Sequence, residues 1–151
     1  MTEAKNLTIP DEVKGYTQKR LDVDLTTGKI TETTLSNEFL ANWIGGYGFG
    51  AKVLWDELKP GIDPLSPENI FVWAIGPFPG TILPTSSKYG VFAKSPLTNM
   101  FGMSISSGSI GAQARRAGVN LIVFKGKAPE PVVFVVDDAA AENRCASWRC
   151  R

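Results

Sequence analysis

The sequence predicts an α+β fold, in which a base of short β-strands carries a few interspersed helices. Runs of strand length, either apolar or alternating between polar and apolar, outnumber the stretches with helical spacing. Hydrophobic residues make up 43% of the 151 residues, which is enough for a single core. Residues 76–111 contain six Gly and four Pro, and this composition predicts short strands and tight turns rather than a long helix.

The chain opens with a polar stretch and a hairpin. Residues 1–14 are interpreted as a loose leader. Residues 20–25 alternate polar and apolar side chains, and residues 29–34 resume the alternation with β-branched side chains after a turn that ends at Gly28. This pattern predicts two antiparallel strands joined by a glycine-closed loop.

Two helices follow, separated by a run of glycines. Ser36 is a predicted N-cap for a helix over residues 37–44, which ends at two glycines, and residues 51–58 form a second helical pattern. The run G-G-Y-G-F-G between them loosely resembles a dinucleotide-binding fingerprint, but it follows a helix rather than a strand. We therefore favour close packing of the two helices as the reason for these glycines, with nucleotide binding as the alternative.

The later strands are predicted from apolar runs bounded by turn residues. Residues 70–75 form a continuous apolar run, which predicts a strand buried on both faces. Further strands are predicted at residues 89–93, 100–105, 120–125 and 132–136, with a helix at 112–117. The last strand is strongly apolar, so we expect it to pair at a sheet edge or with a second chain.

The strands and helices are predicted to pack together as a sheet layer with helices against it. We expect the hairpin and the strands at residues 70–75 and 120–125 to form one sheet layer. Because each predicted helix has one apolar face, Trp43, Leu54 and Trp55 should pack against this layer.

The turn before the predicted helix at residues 112–117 is the strongest candidate for a binding site. It contains Ser106, Ser107, Gly108, Ser109 and Gly111. A Gly/Ser turn at a helix start presents free backbone N–H groups at the positive end of the helix dipole, which suits a phosphate. On spacing alone, a purely structural interpretation is favoured, in which Ser109 caps the helix and glycine fits a crowded turn.

Composition restricts the chemistry available to this chain. The chain has no His, which excludes Ser-His-Asp and Cys-His nucleophile pairs, and its two Cys, Cys145 and Cys150, are too few for a four-thiolate cluster. A net charge of +1 indicates no nucleic-acid or membrane surface. With no signal-peptide segment and no apolar run of membrane-spanning length, we expect a cytoplasmic protein.

An ordered series of motifs resembles the N-terminal part of the aldehyde ferredoxin oxidoreductase family, the tungsten or molybdenum bis-pterin enzymes. The resemblance extends over roughly residues 15–136. The motifs are L-D-V-D-L-T-T-G-K-I from Leu21, G-G-Y-G-F-G-A-K-V-L from Gly45, D-P-L-S-P-E-N from Asp63, A-I-G-P-F-P-G-T from Ala74, K-S-P-L-T from Lys94, S-S-G-S-I-G from Ser106, and R-R-A-G-V-N-L-I-V-F-K-G-K-A-P-E-P from Arg115.

The resemblance implies an oxidoreductase that converts an aldehyde to a carboxylic acid and passes the electrons through a [4Fe–4S] cluster to ferredoxin. It implies that the N-terminal domain is the β-sheet base for the cofactor, and that later domains or a cluster-bearing subunit supply the cluster and the substrate pocket. The expected cofactor-binding residues are Lys88, Lys94, Ser106, Ser107, Gly108, Ser109 and Gly111. No catalytic or metal-ligating side chain is expected here, and a homo-oligomer is an open alternative for this chain.

Two positions depart from the family pattern. Lys88 stands where the family has an Arg bridging pterin and cluster, which keeps the charge but loses the bidentate fork. Ile105-Ser106-Ser107-Gly108 stands where Asn-Ser-Gly-Gly faces the cofactor phosphates, so the side-chain amide is missing.

These features predict a family-type domain at residues 15–136, expected to be incomplete, followed by a divergent tail at 137–151. We expect the chain by itself to be inactive. The alternatives are a truncated or non-catalytic relative or subunit that binds a pterin or assists assembly, and an unrelated anion-binding α+β module.

Overall fold

A computed structural model describes residues 13–137 and 140–145, with side chains up to residue 136. The chain folds into a mixed six-stranded sheet with three helices, so the α+β prediction is confirmed. The elements are β1 (Lys19–Asp24), β2 (Lys29–Thr34), α1 (Asn37–Trp43), α2 (Tyr47–Glu57), β3 (Phe71–Ile75), β4 (Tyr89–Lys94), β5 (Phe101–Ser106), α3 (Ile110–Arg116), β6 (Leu121–Lys125), β7 (Val132–Asp137) and β8 (Ala140–Cys145).

The large sheet has the strand order β2-β1-β6-β3-β4-β5. Its neighbours pair antiparallel except β1 and β6, which are parallel. The hairpin, β3 and β6 therefore share one layer, as predicted. Among the described residues, β2 and β5 form the two edges of this sheet.

The main core lies between the sheet and the first two helices. Buried side chains of β3, β4 and β6 meet Leu40 of α1 and Phe49, Val53 and Leu54 of α2. The predicted position of Leu54 is thus confirmed. Trp43 and Trp55 do not join this core, since they are 37% and 85% exposed, and that part of the prediction is wrong.

The opposite face of the sheet has a smaller core. Leu21, Val23, Val119 and Ile122 are buried there, and side chains of β7, including Phe134, pack against them. β3 is covered less well on this side than predicted, because Phe71 is exposed and Trp73 is half-buried. Only the side of β3 that carries Val72 and Ala74 is fully buried, so burial on both faces was wrong.

The second helix begins four residues earlier than its sequence pattern predicts. Gly48 and Gly50 lie inside α2, where each meets a close neighbour. A Cβ on Gly48 would stand 1.9 Å from the carbonyl oxygen of Trp43, and one on Gly50 would stand 2.3 Å from the Phe92 ring. These contacts support packing as the reason for the glycines, at the cost of about 1 kcal/mol each in helix propensity.

The last predicted strand has a local partner. β7 pairs antiparallel with β8 in a separate two-stranded sheet, with Val132 opposite Cys145. The expectation that it pairs at a sheet edge or with a second chain was therefore wrong. The polar sequence of β8 hides its strand character, which comes from the hairpin it forms with an apolar neighbour. None of the helices in the described part of the chain is long and apolar enough to cross a membrane.

Candidate functional site at one end of the sheet

One end of the large sheet gathers most of the predicted site residues. β3 ends there at Ile75, β4 begins at Tyr89 and β5 ends at Ser106, with Ile75 paired to Tyr89 and Tyr89 paired to Ser106. α2 also begins at this end, because the Gly46 N–H donates to the Ile75 carbonyl oxygen at 3.0 Å. We call this region the site end of the sheet.

A small cavity of about 150 Å³ opens at the site end, between the start of α2 and the start of β4. Gly46 and Gly76 line it, and no atom of the described residues lies within 4 Å of where a Cβ would stand on either of them. Lys88, Tyr47 and Ile105 are among the other residues that line it. The two glycines therefore leave space that any larger residue would fill.

The Gly/Ser turn lies beside this cavity. Ser106, Ser107 and Ser109 are exposed, and none of their hydroxyls has a hydrogen-bond partner within the described residues. Gly108 has a φ of +110° and faces open space, so its backbone adopts a conformation that other residues rarely accept. Lys88 precedes Tyr89, and its exposed amine has no ion-pair partner in the part of the chain that the structure describes. The turn thus presents hydroxyl groups next to one uncompensated positive charge.

The start of α3 is held by a residue that the sequence did not single out. Ser109 makes no side-chain capping bond, so the interpretation that it merely caps the helix was wrong. The Ser87 hydroxyl instead accepts from the Ala112 N–H at 3.0 Å. Gly111 is buried, and a Cβ there would stand 3.2 Å from the Lys88 carbonyl oxygen. These two contacts hold the Lys88 backbone against α3, and Gly111 serves this packing.

Lys94 does not join the group. It is the last residue of β4, opposite Phe101, whereas Lys88 lies just before the strand begins. The five residue steps along the strand from Tyr89 to Lys94 correspond to roughly 16 Å. The Lys94 ammonium donates to the Ile62 carbonyl oxygen at 2.5 Å. Of the two predicted lysines, the fold therefore brings only Lys88 to the turn.

Two further side chains, which no motif in the sequence indicates, organise the site end. Arg115 donates from Nη1 to the carbonyl oxygens of Gly15, at 2.7 Å, and Pro77, which ties α3 to the loop that leads to Lys88. Asn120 is fully buried, and its Oδ1 accepts from the Thr17 N–H and hydroxyl, both at 2.6 Å. Their partners lie 38 to 103 residues away, so no local pattern could have revealed them.

The main ion-pair network belongs to the scaffold. Glu57, the last residue of α2, pairs with Arg20 at 2.7 Å and with Lys125 at 2.6 Å. Burial opposes ionisation of this carboxylate, but the hydrogen bonds from Arg20 and Lys125 outweigh it and lower the Glu57 pKa. The length of α2 separates this network from the site end by roughly 15 Å.

The donor set at the site end suits an anion or the polar rim of an organic cofactor. It consists of hydroxyls, one lysine and backbone groups. Across the described ranges, no three or more His, Cys, Asp or Glu side chains group closely enough to hold a metal ion.

Comparison with known proteins identifies the domain. The profile of the aldehyde ferredoxin oxidoreductase N-terminal domain matches residues 20–149. A tungsten-containing aldehyde ferredoxin oxidoreductase from Pyrococcus abyssi is 44% identical over 133 residues, which cover 88% of this chain and 22% of that protein. The WOR-like subunit of an aliphatic sulfonate oxidoreductase from Pyrococcus furiosus is 36% identical over 87% of this chain and 21% of its own length.

A solved structure has the same fold. It is the active-site complex BamBC of benzoyl coenzyme A reductase with 1,5-dienoyl-CoA, which superposes with a TM-score of 0.86 at 34% identity. The match covers 89% of this chain and 20% of that chain. The present chain thus spans about a fifth of the length of these relatives. Because the profile matches most of the sequence and close relatives align along it, the chain belongs to the aldehyde ferredoxin oxidoreductase family and corresponds to its N-terminal domain.

Proposed function

We propose that this chain is the cofactor-cradling N-terminal part of an aldehyde:ferredoxin-type oxidoreductase. The observation that carries the proposal is the site end itself, where an open glycine-lined cavity and a turn of unpartnered hydroxyls lie beside Lys88. Its relatives include four tungsten-containing aldehyde ferredoxin oxidoreductases, which supports the same function.

The residues present fit a pterin cofactor. A flat ring system needs space without side chains, and Gly46 and Gly76 leave such space at the cavity wall. A pterin phosphate needs hydrogen-bond donors, and Ser106, Ser107 and Ser109 offer hydroxyls that have no partner among the described residues. When bound, a tungsten or molybdenum bis-pterin supplies the two-electron oxidation of an aldehyde to a carboxylic acid.

In this proposal, Lys88 supplies a positive charge for the phosphate, and the turn supplies the hydrogen-bond donors that orient it. The Lys88 ammonium compensates a phosphate as a point charge, without the planar fork that an Arg would offer. Gly108 lets the backbone of the turn approach the anion, because a side chain at its φ of +110° would be strained. Gly111 contributes by allowing Lys88 to lie close to α3. Lys94 remains a predicted cofactor contact, and its position at the other end of β4 argues against a role at this phosphate.

The remaining chemistry belongs to other parts of the enzyme. A [4Fe–4S] cluster needs about four thiolates, more than the two Cys of this chain. We therefore propose that the cluster, the aldehyde pocket and the ferredoxin contact come from further domains or from a cluster-bearing subunit. The greater length of the relatives supports this division.

A non-catalytic pterin-binding or assembly module is the second candidate. Two departures favour it, namely Lys88 in place of Arg and Ile105 in place of Asn. Such a module retains the anion-binding site at the Gly/Ser turn but forms no electron path to a cluster. The two candidates therefore differ in redox activity and agree on binding.

Phosphate binding to the 151-residue chain tests whether the Gly/Ser turn beside Lys88 is an anion-binding site. Calorimetric titration with inorganic phosphate should show binding that Lys88→Ala weakens about 10-fold to 100-fold, because a charged hydrogen bond contributes about 1.5–3 kcal/mol. Gly108→Val should also weaken it, by straining the turn. Lys29→Ala is the matched control, since it removes one exposed lysine from the opposite sheet edge. Equal affinity for phosphate in the unsubstituted chain and its three variants would show that the anion-binding site is elsewhere.

A further inference from the structure

The loop that carries Lys88 has few apolar anchors. We call residues 76–88, which join β3 to β4, the Lys88 loop. Pro79 is buried, but most of the side chains of this loop are exposed, among them Phe78 and Leu83. Burial of apolar surface therefore contributes little to the position of the loop, and polar contacts decide where Lys88 lies.

Several of these polar contacts lie within the loop itself. The Thr81 N–H donates to the Phe78 carbonyl oxygen at 3.1 Å. The Ser86 hydroxyl lies 2.9 Å from the same oxygen and 2.8 Å from the Leu83 carbonyl oxygen. The Lys88 N–H donates to the Ser86 carbonyl oxygen at 2.7 Å. The loop is thus held together internally, and its place in the molecule depends on its contacts with the rest of the fold.

α3 holds the Lys88 loop at two points, one near each end of the loop. Near the end, the Ser87 hydroxyl accepts from the Ala112 N–H at 3.0 Å. Near the start, Nη1 of Arg115 donates to the Pro77 carbonyl oxygen. Between these points the loop lies along the helix, since a Cβ on Gly80 would stand 3.4 Å from Cδ of Arg115. Ala112 and Arg115 are three residues apart and therefore lie on one side of α3.

Arg115 joins a third segment to the same contact. Its Nη1 also donates to the Gly15 carbonyl oxygen at 2.7 Å, so both protons of this nitrogen have acceptors. A Cβ on Gly15 would stand 3.4 Å from Cβ of Pro77, which shows that the two segments pack together. The segment of Gly15 is itself held where the Thr17 N–H donates to Oδ1 of the buried Asn120 at 2.6 Å. The start of the Lys88 loop is therefore tied to two fixed parts of the fold through one guanidinium.

We propose that Arg115 is a positioning residue, whose guanidinium holds the Lys88 loop against α3 so that Lys88 lies beside the Gly/Ser turn. α3 begins directly after that turn, so a single helix fixes both the hydroxyls and the positive charge. Arg115 acts through Lys88 and not on the anion, since its Nη1 protons are directed at carbonyl oxygens. The inference rests on the proposed function, because it takes Lys88 to hold the anion at the turn.

Hydrogen exchange of the 151-residue chain, measured by mass spectrometry, tests the positioning without any ligand. Arg115→Met keeps an unbranched apolar side chain and removes the guanidinium. It should speed exchange in the Lys88 loop about 10-fold, because a charged donor to two carbonyl oxygens is lost. Peptides from β6 should exchange as in the unsubstituted chain.

Two further variants control for charge and for folding. Arg115→Lys should recover part of the protection, because both bonds come from one nitrogen and an ammonium can also donate both. Arg116→Met is the matched control, since it removes the neighbouring exposed arginine, whose Nη1 lies 3.5 Å from the Gln113 side-chain oxygen. It should leave the exchange of the Lys88 loop unchanged.

Calorimetric titration with inorganic phosphate tests whether this positioning matters for binding. Arg115→Met should weaken phosphate affinity about 3-fold to 10-fold, and Arg116→Met should not. In a Lys88→Ala background, Arg115→Met should weaken affinity no further, because a residue that acts through Lys88 then has nothing to position. A side chain that attracted phosphate directly would cause the same loss in both backgrounds.

The outcomes separate this proposal from the proposed function. Unchanged exchange of the Lys88 loop in Arg115→Met would overturn the positioning role. An equal rise in exchange along the whole chain would also overturn it, because Arg115 would then serve overall stability. Equal losses of phosphate affinity with and without Lys88 would show that Arg115 acts on the anion itself. Failure of the unsubstituted chain to bind phosphate would contradict the proposed function alone, and the exchange of the loop would still decide whether Arg115 positions Lys88.

Discussion

At the scale of single residues, four glycines at or near the start of α2 and at the site end are of two kinds. Gly48 and Gly50 are required by neighbouring atoms, since a Cβ on either would overlap the Trp43 carbonyl or the Phe92 ring. Gly46 and Gly76 border open space instead. The first kind serves folding, and the second kind serves the cavity that we assign to the cofactor.

This division predicts a loss of stability for one Gly→Ala substitution and almost none for another. Gly48→Ala should lower the free energy of unfolding by about 1–3 kcal/mol, because its Cβ would stand 1.9 Å from a backbone oxygen that cannot move freely. Gly76→Ala should leave stability almost unchanged, since nothing lies within 4 Å of its Cβ position. Urea denaturation monitored by tryptophan fluorescence measures both. A larger loss for Gly76→Ala than for Gly48→Ala would contradict the assignment.

At the scale of elements, Ser36 and Ser109 both occupy N-cap positions, but only Ser36 caps its helix through its side chain. The Ser36 hydroxyl accepts from the Phe39 N–H at 3.1 Å, as the sequence predicts. Ser109 makes no such bond. Its hydroxyl is free for a ligand because Ser87 already accepts from the start of α3.

The caps predict a clear difference in stability. Ser36→Ala should cost about 0.5–2 kcal/mol in the free energy of unfolding, because a helix N–H loses its partner. Ser36→Asp should retain most of the stability of the unsubstituted chain, because an Asp side chain also accepts from the helix N–H. Ser109→Ala is the matched control, and its effect should lie within about 0.5 kcal/mol of zero. Denaturant titration of the three variants checks this, and an equal loss in both alanine variants would mean that Ser109 caps α3 in solution.

The end of α2 predicts a dependence of stability on pH. The pKa of Glu57 is lower in the folded chain than its ordinary value of 4.5, so ionised Glu57 favours the folded state. Its contribution is complete above the unfolded pKa and is lost as pH falls through the folded pKa. Glu57→Gln should therefore be less stable than the unsubstituted chain near neutral pH, with the gap closing at acidic pH. Denaturant titrations at several pH values measure the gap, and a constant gap would exclude the linkage.

At the scale of the whole molecule, the chain should hold no iron–sulfur cluster by itself. It has two Cys, at positions 145 and 150, whereas such clusters take about four thiolates. Anaerobic reconstitution followed by iron and sulfide analysis should find neither element in stoichiometric amount. A four-iron cluster on a monomer would show that the division of labour between this chain and other domains is wrong.

Local sequence patterns predicted most elements of this fold. The hairpin, the cap at Ser36, and β3, β4, β5 and β6 lie within one or two residues of their predicted positions. These elements depend on alternation, capping and turn chemistry, which are readable over a few residues. The boundary of α2 was missed because a Gly-rich start is unfavourable for a helix locally. The reason for Gly48 and Gly50 is the lack of space for a Cβ beside the Trp43 carbonyl and the Phe92 ring, which appears only in the fold.

The candidate site was only partly predictable for the same reason. The Gly/Ser turn is visible in the sequence, because it is short and its composition is unusual. Lys88 and Lys94 look equivalent there, and only the pairing of β4 with β5 separates them. Ser87 and Arg115 act on residues 25 and 38 or more positions away.

The sequence by itself determined the α+β class, the family and the limits on chemistry, because these depend on residue types, on their order and on what is absent. Only the tertiary structure decided which glycines are packed and which border a cavity, which lysine reaches the turn, and that β7 pairs with β8. These properties depend on residues distant in sequence that become neighbours when the strands pair, and no local pattern records such contacts.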